Sequence, residues 1–395
     1  MNFLSNRLNA LSESETLAMS QKSNELKAQG IDVINLSVGE PDFNTPDHIK
    51  AAAEKAISDN FSFYSPVPGY LPLRKAICEK LKTENNLEYT PEQIVCSNGA
   101  KQSVCNVILS LINKDDEVII PAPYWVSYPE MVTLAEGKSV IVSAGIEQDF
   151  KITAAQLKDA ITPRTKALIL CSPSNPTGSV YSHQELKELS TVLAQYPNIF
   201  IISDEIYEHI NYVGKHESIA QFEEIKDHVI IVNGVSKCYA MTGWRLGWIA
   251  APKAIAAACN KLQGQYTSGP CSISQKASEA AYTGSQDCVS EMQKAFLRRK
   301  NLVINLAKEI EGMKLNDPQG AFYIFPDISA FIGKKFGDKI ISNSGDLAMY
   351  LLENAHVACV GGAAFGAPNC LRLSYATSDE NITEAFRRIK TALAF

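Results

Sequence analysis

Short apolar, β-branched runs alternate with longer stretches of helical period through the first three quarters of the chain. The runs at 93–97, 117–121, 139–142, 166–171, 198–203 and 228–233 predict strands. Between them, 101–113 and 182–195 predict helices. The second helix opens on Ser182 with Glu185 three residues later, a capping-box pattern. Strands alternating with helices predict an α/β fold, with a mostly parallel sheet covered by helices.

From about Gly284 the pattern changes. A charged stretch of helical period (286–312) leads into Gly320-Ala321-Phe322-Tyr323-Ile324-Phe325, then a helix around 344–355. Short apolar runs at 356–360 and 370–375 precede a terminal helix. This reads as a smaller α+β domain. Pro41 and Pro46 punctuate the join at the other end, so the expected division is a large domain over 46–283 and a small one from 1–45 with 284–395.

Composition narrows the function classes. With 395 residues, 46% hydrophobic and 20% charged, the chain has the profile of a soluble globular protein large enough for two cores. A formal net charge of −6 argues against a nucleic-acid binder, which carries a basic face. No apolar run approaches the length of a membrane span, and the first twenty residues lack the apolar core of a secretory signal. Ten cysteines are scattered without a CxxC pair, which fits reduced thiols in a cytoplasmic protein and predicts no metal site.

One segment carries the chemistry. Asn233-Gly234-Val235-Ser236-Lys237-Cys238-Tyr239-Ala240-Met241-Thr242-Gly243-Trp244-Arg245-Leu246-Gly247 directly follows an apolar strand. A lysine there lies at the carboxyl end of a parallel strand, where open α/β sheets place ligands. Ser236 and Arg245 supply a hydroxyl and a fixed cation suited to a phosphate. A lone lysine after a strand is more often a solvated turn residue. Here the glycines, Ser236, Lys237, Ala240, Met241 and Arg245 fit one pattern together.

That string resembles the attachment signature of class I aminotransferases, the aspartate aminotransferase family of fold-type I pyridoxal-phosphate enzymes. The resemblance covers about Thr16 to Ser374, with its motifs in family order. It implies pyridoxal 5′-phosphate as cofactor, held as a Schiff base on Lys237. A lysine must lose its proton to attack a carbonyl, and burial with nearby positive charge favours the neutral amine.

The resemblance assigns further roles. Asp204, in Ser203-Asp204-Glu205-Ile206-Tyr207, would hold the proton on the pyridine nitrogen, and Tyr207 would donate to the ring oxygen. Taken alone, an aspartate after a strand is more often a helix cap. Asn175, in Ser172-Pro173-Ser174-Asn175-Pro176-Thr177-Gly178, sits in an ideal tight turn and would share that oxygen. Gly99, Ala100 and Lys101, at a helix start, would receive the phosphate. Trp125 would stack on the ring. Tyr64, in Tyr64-Ser65-Pro66-Val67-Pro68-Gly69, would reach the phosphate of a neighbouring subunit, which implies a homodimer with shared active sites.

Arg372, in Cys370-Leu371-Arg372-Leu373-Ser374, would grip the substrate α-carboxylate as a planar fork. A strand arginine facing solvent is the plain alternative, and periodicity does not separate the two. Gly39, in Ser37-Val38-Gly39-Glu40-Pro41-Asp42, would let the backbone approach the substrate. In the subgroup with a Gly-x-Lys-Gln loop, Lys101 and Thr16 would handle a distal carboxylate. Glu15, acidic and next to Thr16, departs from that pattern and would oppose an anion if it pointed inward.

These readings imply an aminotransferase that moves the α-amino group of an L-amino acid, aspartate first, to 2-oxoglutarate by a ping-pong mechanism. Prephenate, aromatic or alanine transamination on the same scaffold is the alternative. A lyase of the same fold would keep every cofactor residue. A regulator with an aminotransferase-like domain would carry a DNA-binding module ahead of it, whereas the resemblance here begins almost at Met1.

Overall fold

The computed structural model describes residues 3–394; the outermost residues of the expected small domain, Met1, Asn2 and Phe395, lie outside the described residues. Seven strands form the central sheet: β1 (Ile94–Ser97), β2 (Glu117–Ala122), β3 (Lys138–Ser143), β4 (Thr165–Cys171), β5 (Phe200–Asp204), β6 (Val229–Gly234) and β7 (Gly247–Ala250). Their order is β1-β7-β6-β5-β4-β2-β3. All neighbours pair in parallel except β7, which runs antiparallel to both β1 and β6.

Successive residues of each strand point to opposite faces, and both faces are buried except along the edge strand β3, whose residues are exposed or half-buried. Ile119, Leu168, Ile201 and Ile231 pack against helices Asp47–Ser58, Leu71–Asn85, His183–Leu193 and Ser272–Thr283. Val118, Ala167, Ile202 and Ile230 pack on the other side, against Ala100–Leu111, Ser127–Leu134 and Lys253–Tyr266. This is why the strands read as continuous apolar runs. Each fully buried aliphatic side chain contributes roughly 1.5–3 kcal/mol. The capping box at Ser182 and Glu185 forms, with both reciprocal hydrogen bonds present.

Strand β7 escapes the sequence pattern. It is four residues long, has no polar alternation, and opens on a glycine inside the lysine segment. Long-range pairing creates it. A Cβ on Gly234 would stand 2.7 Å from Gly247 Cα, and one on Gly247 would stand 2.2 Å from the Ala100 nitrogen. Only glycine at both positions lets β7 slide between β6 and the start of helix Ala100–Leu111.

A second core gathers Met19, Val33 and Leu36 with Phe296, Phe322, Leu347, Ile382 and Phe386. Ile34–Asn35 pairs in parallel with Val357–Ala358, and Leu371–Ser374 runs antiparallel between Val360–Gly361 and Tyr323–Ile324. The long charged stretch forms helix Asp287–Lys308. Ile206, Tyr207 and Ile210, just past β5, belong to this second core, so the two cores meet at the carboxyl end of the sheet. No helix among the described residues is long and apolar enough to cross a membrane, and all ten cysteines are free.

Candidate active site

β4, β5 and β6 end side by side, with Cys171 paired to Asp204 and Asp204 to Val232. The end of β5 and the loops beyond the three strands carry Asp204, Asn175, Tyr207, Ser236 and Lys237 to one cavity of about 270 Å³. Gly39, Trp125, Arg245 and Arg372 also line it, as do Thr16, Ala100 and Lys101. Residues far apart in sequence therefore converge where an open α/β sheet binds its ligands.

Lys237 stands at the centre. Its ammonium donates to the Gly39 carbonyl at 2.7 Å. Burial in the cavity pulls its pKa down to about 8, helped by the Arg372 and Arg245 charges and opposed by Glu40. The neutral, nucleophilic amine is therefore far better populated near physiological pH than in an exposed lysine. In the cofactor-free protein, acylation of Lys237 by an amine-selective reagent is expected to rise with pH through a midpoint near 8, followed by peptide mass spectrometry. A midpoint near that of an exposed lysine contradicts the desolvated setting.

Asp204 is 4% exposed and faces neutral donors: the Tyr128 hydroxyl at 2.6 Å and the Ile206 amide at 3.2 Å. Burial raises its pKa to about 6 against these hydrogen bonds. A buried carboxylate without an ion-pair partner suits a cationic group arriving from the cavity. Tyr207 is fully buried and its hydroxyl shares a 2.7 Å hydrogen bond with that of Tyr323.

At one end of the cavity, Ser236, the Arg245 guanidinium and the start of helix Ala100–Leu111 come together. Gly99 is the N-cap and offers no side-chain cap; the Gln102 N–H bonds the Gly99 carbonyl at 3.0 Å, which leaves those of Ala100 and Lys101 for an incoming anion. Gly99 itself lies behind Arg245, and a Cβ there would stand 2.5 Å from Nη2. Hydroxyl, guanidinium and helix N-terminus make a phosphate-type anion cup.

Arg372 also lines the cavity. The solvent-facing alternative is overturned: the residue is 2% exposed, clamped between the rings of Tyr323 and Phe365 at 4.7 and 4.9 Å. It donates to Asn175 Oδ1 at 3.0 Å and to the Ser37 carbonyl at 2.6 Å, while Nε has no partner. Asn175 thus orients the arginine. A fork held rigid with an unsatisfied donor is ready for a carboxylate.

Thr16 Oγ1 is also buried without a partner, whereas Glu15 is exposed and absent from the cavity wall. The first turn of helix Glu15–Ala28 turns the two neighbours to different sides. Lys101 Nζ lies 5.1 Å above the Trp125 ring, and Trp125 meets Tyr128 edge-on at 5.3 Å. Of the expected residues, Gly99 sits behind the cavity wall and Tyr64 lies outside this convergence altogether. Tyr64 is 96% exposed and points away from the chain that carries it.

Residues 31–389 match the family model for aminotransferase class I and II. The chain belongs to that family. This aminotransferase is 48% identical over 396 residues to a petunia (Petunia hybrida) bifunctional aspartate aminotransferase and glutamate/aspartate-prephenate aminotransferase, covering 99% of this chain and 82% of the petunia protein. Its fold superposes on the crystal structure of the aspartate aminotransferase from Rhizobium meliloti with a TM-score of 0.96, at 41% identity, covering 99% and 98% of the two chains. It also superposes on the Thermus thermophilus aspartate aminotransferase with maleate, with a TM-score of 0.93, 39% identity and full coverage of both.

Two residues lining this aminotransferase's candidate site, Tyr128 and Tyr323, and Phe365 packed against Arg372, went unrecognised in the sequence. Tyr128 follows the Trp125 motif closely, yet only packing of helix Ser127–Leu134 aims its hydroxyl at Asp204. Tyr323 sits in an apolar run that reads as core. A Cβ on Gly39 would lie 2.6 Å from the Tyr323 hydroxyl, the steric reason that glycine is needed there.

Proposed function

We propose that this aminotransferase carries the α-amino group of L-aspartate to 2-oxoglutarate, with pyridoxal 5′-phosphate held on Lys237. The observation that carries the reading is the placement of Lys237 between a buried, unpaired carboxylate and two cationic sites. Asp204 fits a protonated ring nitrogen, while Tyr207 and Asn175 fit the neighbouring ring oxygen. Ser236, Arg245 and the turn Gly99-Ala100-Lys101 fit the phosphate, and Trp125 offers a flat face to the ring. Bound there, the cofactor supplies an electrophilic aldehyde and a sink for charge developing at the substrate Cα.

The protein's own groups do the rest. Arg372 binds the α-carboxylate through its fork and orients the Cα–H toward Lys237. Lys237, once free, takes the proton from Cα and returns it as general base and acid. Asp204 holds its negative charge in a dry setting where it acts at full strength. Because one substrate leaves before the next binds, ping-pong kinetics follow.

Lys101 and Thr16, with its unpartnered hydroxyl, support a second carboxylate on the substrate, and Glu15 is not part of the cavity wall. The petunia relative's name adds prephenate, a 2-oxo acid with a second carboxylate, as an alternative acceptor. The same reading extends to assembly: Phe63 and Tyr64, 81% and 96% exposed, face a second copy in a homodimer whose active sites are shared. It also divides the chain into a large domain over 46–283 and a small one over the flanking segments.

A panel of amino donors against 2-oxoglutarate tests the reading, with aspartate expected to lead. Lys101→Ala is expected to lower kcat/KM for aspartate by about 10–100-fold, the scale of one charge-assisted contact, and to change phenylalanine much less. Equal losses for both remove the case for a dicarboxylic substrate. Product formed without any oxo acid indicates a lyase instead.

A further inference from the structure

Behind Asp204 the protein buries a second set of charges that the cavity does not use. In the turn after β5, Asp204 and Tyr207 reach the cavity, while Glu205 and Glu208 point into the interior, 1% and 5% exposed. Glu208 pairs with the ammonium of Lys80, itself 4% exposed, from helix Leu71–Asn85. Lys80 also donates to Asn85 Oδ1 at 2.8 Å and lies 3.5 Å from Glu84, which meets His209 at 2.9 Å. Glu205 accepts from Ser203 at 2.9 Å and Ser218 at 2.6 Å, and faces His216 at 3.0 Å.

A buried ion pair is a poor source of stability, because desolvation offsets most of its attraction. Its geometry is another matter. The turn is closed by the Glu208 amide donating to the Glu205 carbonyl at 2.9 Å. Both ends are thus anchored from behind by charges that tolerate little displacement. A shift of Asp204 or Tyr207 would strain those contacts through the shared backbone of the turn.

We propose that Lys80 and Glu208 are positioning residues that hold Asp204 and Tyr207 in register with the ring end of the cofactor. The proposal rests on the reading of the cavity given above. Neither residue touches the cavity, so neither acts on substrate directly.

The test is the paired replacement Lys80→Met with Glu208→Met, which removes both charges and leaves no buried ion alone. Three quantities are measured: thermal stability, affinity of the cofactor-stripped protein for pyridoxal 5′-phosphate by fluorescence quenching, and the pH midpoint of the bound cofactor's visible band. The expected result is a folded protein of undiminished stability that binds about tenfold more weakly and titrates at a shifted midpoint, because the turn has lost its anchor. Native affinity and native midpoint in that variant overturn the proposal and leave the pair merely structural. If the double variant fails to fold, Glu208→Gln decides by the same measurements. A weaker affinity with a moved midpoint supports positioning, and unchanged values overturn it. A native protein that binds no pyridoxal 5′-phosphate overturns the cavity reading itself, and this proposal with it.

Discussion

Lys237→Ala is expected to lower transamination by about 10⁴-fold or more, since it removes the group proposed to hold the cofactor and to carry the proton at Cα. The variant is also expected to lose the visible absorbance of covalently held cofactor. Borohydride treatment of the unmodified holoprotein should fix a pyridoxyl label on Lys237, located by peptide mass spectrometry. The structural reason is position: of the cavity-lining groups, the Lys237 amine combines burial, a 2.7 Å contact to Gly39 and a pKa pulled down to about 8. A variant that keeps both turnover and the visible band would defeat the assignment. A label on another lysine would move it.

Asp204→Asn is expected to do opposite things to stability and activity. The fold raises the Asp204 pKa from 3.8 to about 6, mainly by burial. The folded state therefore keeps a proton that the unfolded state releases, and stability falls as pH rises from 3.8 to about 6. Above that range the full penalty of about 3 kcal/mol applies. Asparagine avoids the charge penalty and can still accept from Tyr128, at the loss of the longer bond from the Ile206 amide. At pH 7.5 the cofactor-free variant should melt higher than the native chain, measured by calorimetry. With cofactor added, kcat should fall by about 10³-fold, because a neutral amide cannot balance the ring cation. A cofactor-free variant that melts lower would show that the hydrogen bonds from Tyr128 and Ile206 and the nearby Lys237 charge outweigh the cost of burying the carboxylate.

Much of the architecture was legible from the order of residues. Six of the seven sheet strands announced themselves as apolar or β-branched runs, five of them because both faces are covered and the edge strand Lys138–Ser143 through its valines and isoleucine. The seventh did not. Gly247–Ala250 is too short to show a period, and it becomes a strand only because glycines at 234 and 247 permit the close approach. Arg372 was ambiguous for a related reason: Leu371–Ser374 alternates as an exposed-edge strand would, yet all four residues are buried. Its polar face meets Asn175 and the aromatic pair Tyr323 and Phe365 instead of water.

What the sequence alone determined was the inventory of reactive groups and their local settings: a lysine and a serine after one strand, an aspartate after another, an asparagine in a tight turn, an arginine flanked by leucines. Such settings depend on neighbours within a few residues, and local pattern encodes them. Only the tertiary structure decided which groups meet. The Tyr128 hydroxyl reaches Asp204 across 76 positions of sequence, Lys80 reaches Glu208 across 128, and Arg372 reaches Asn175 across 197. Those meetings are set by strand order and helix packing, which bring the ends of β4, β5 and β6 together and turn each side chain toward cavity or core.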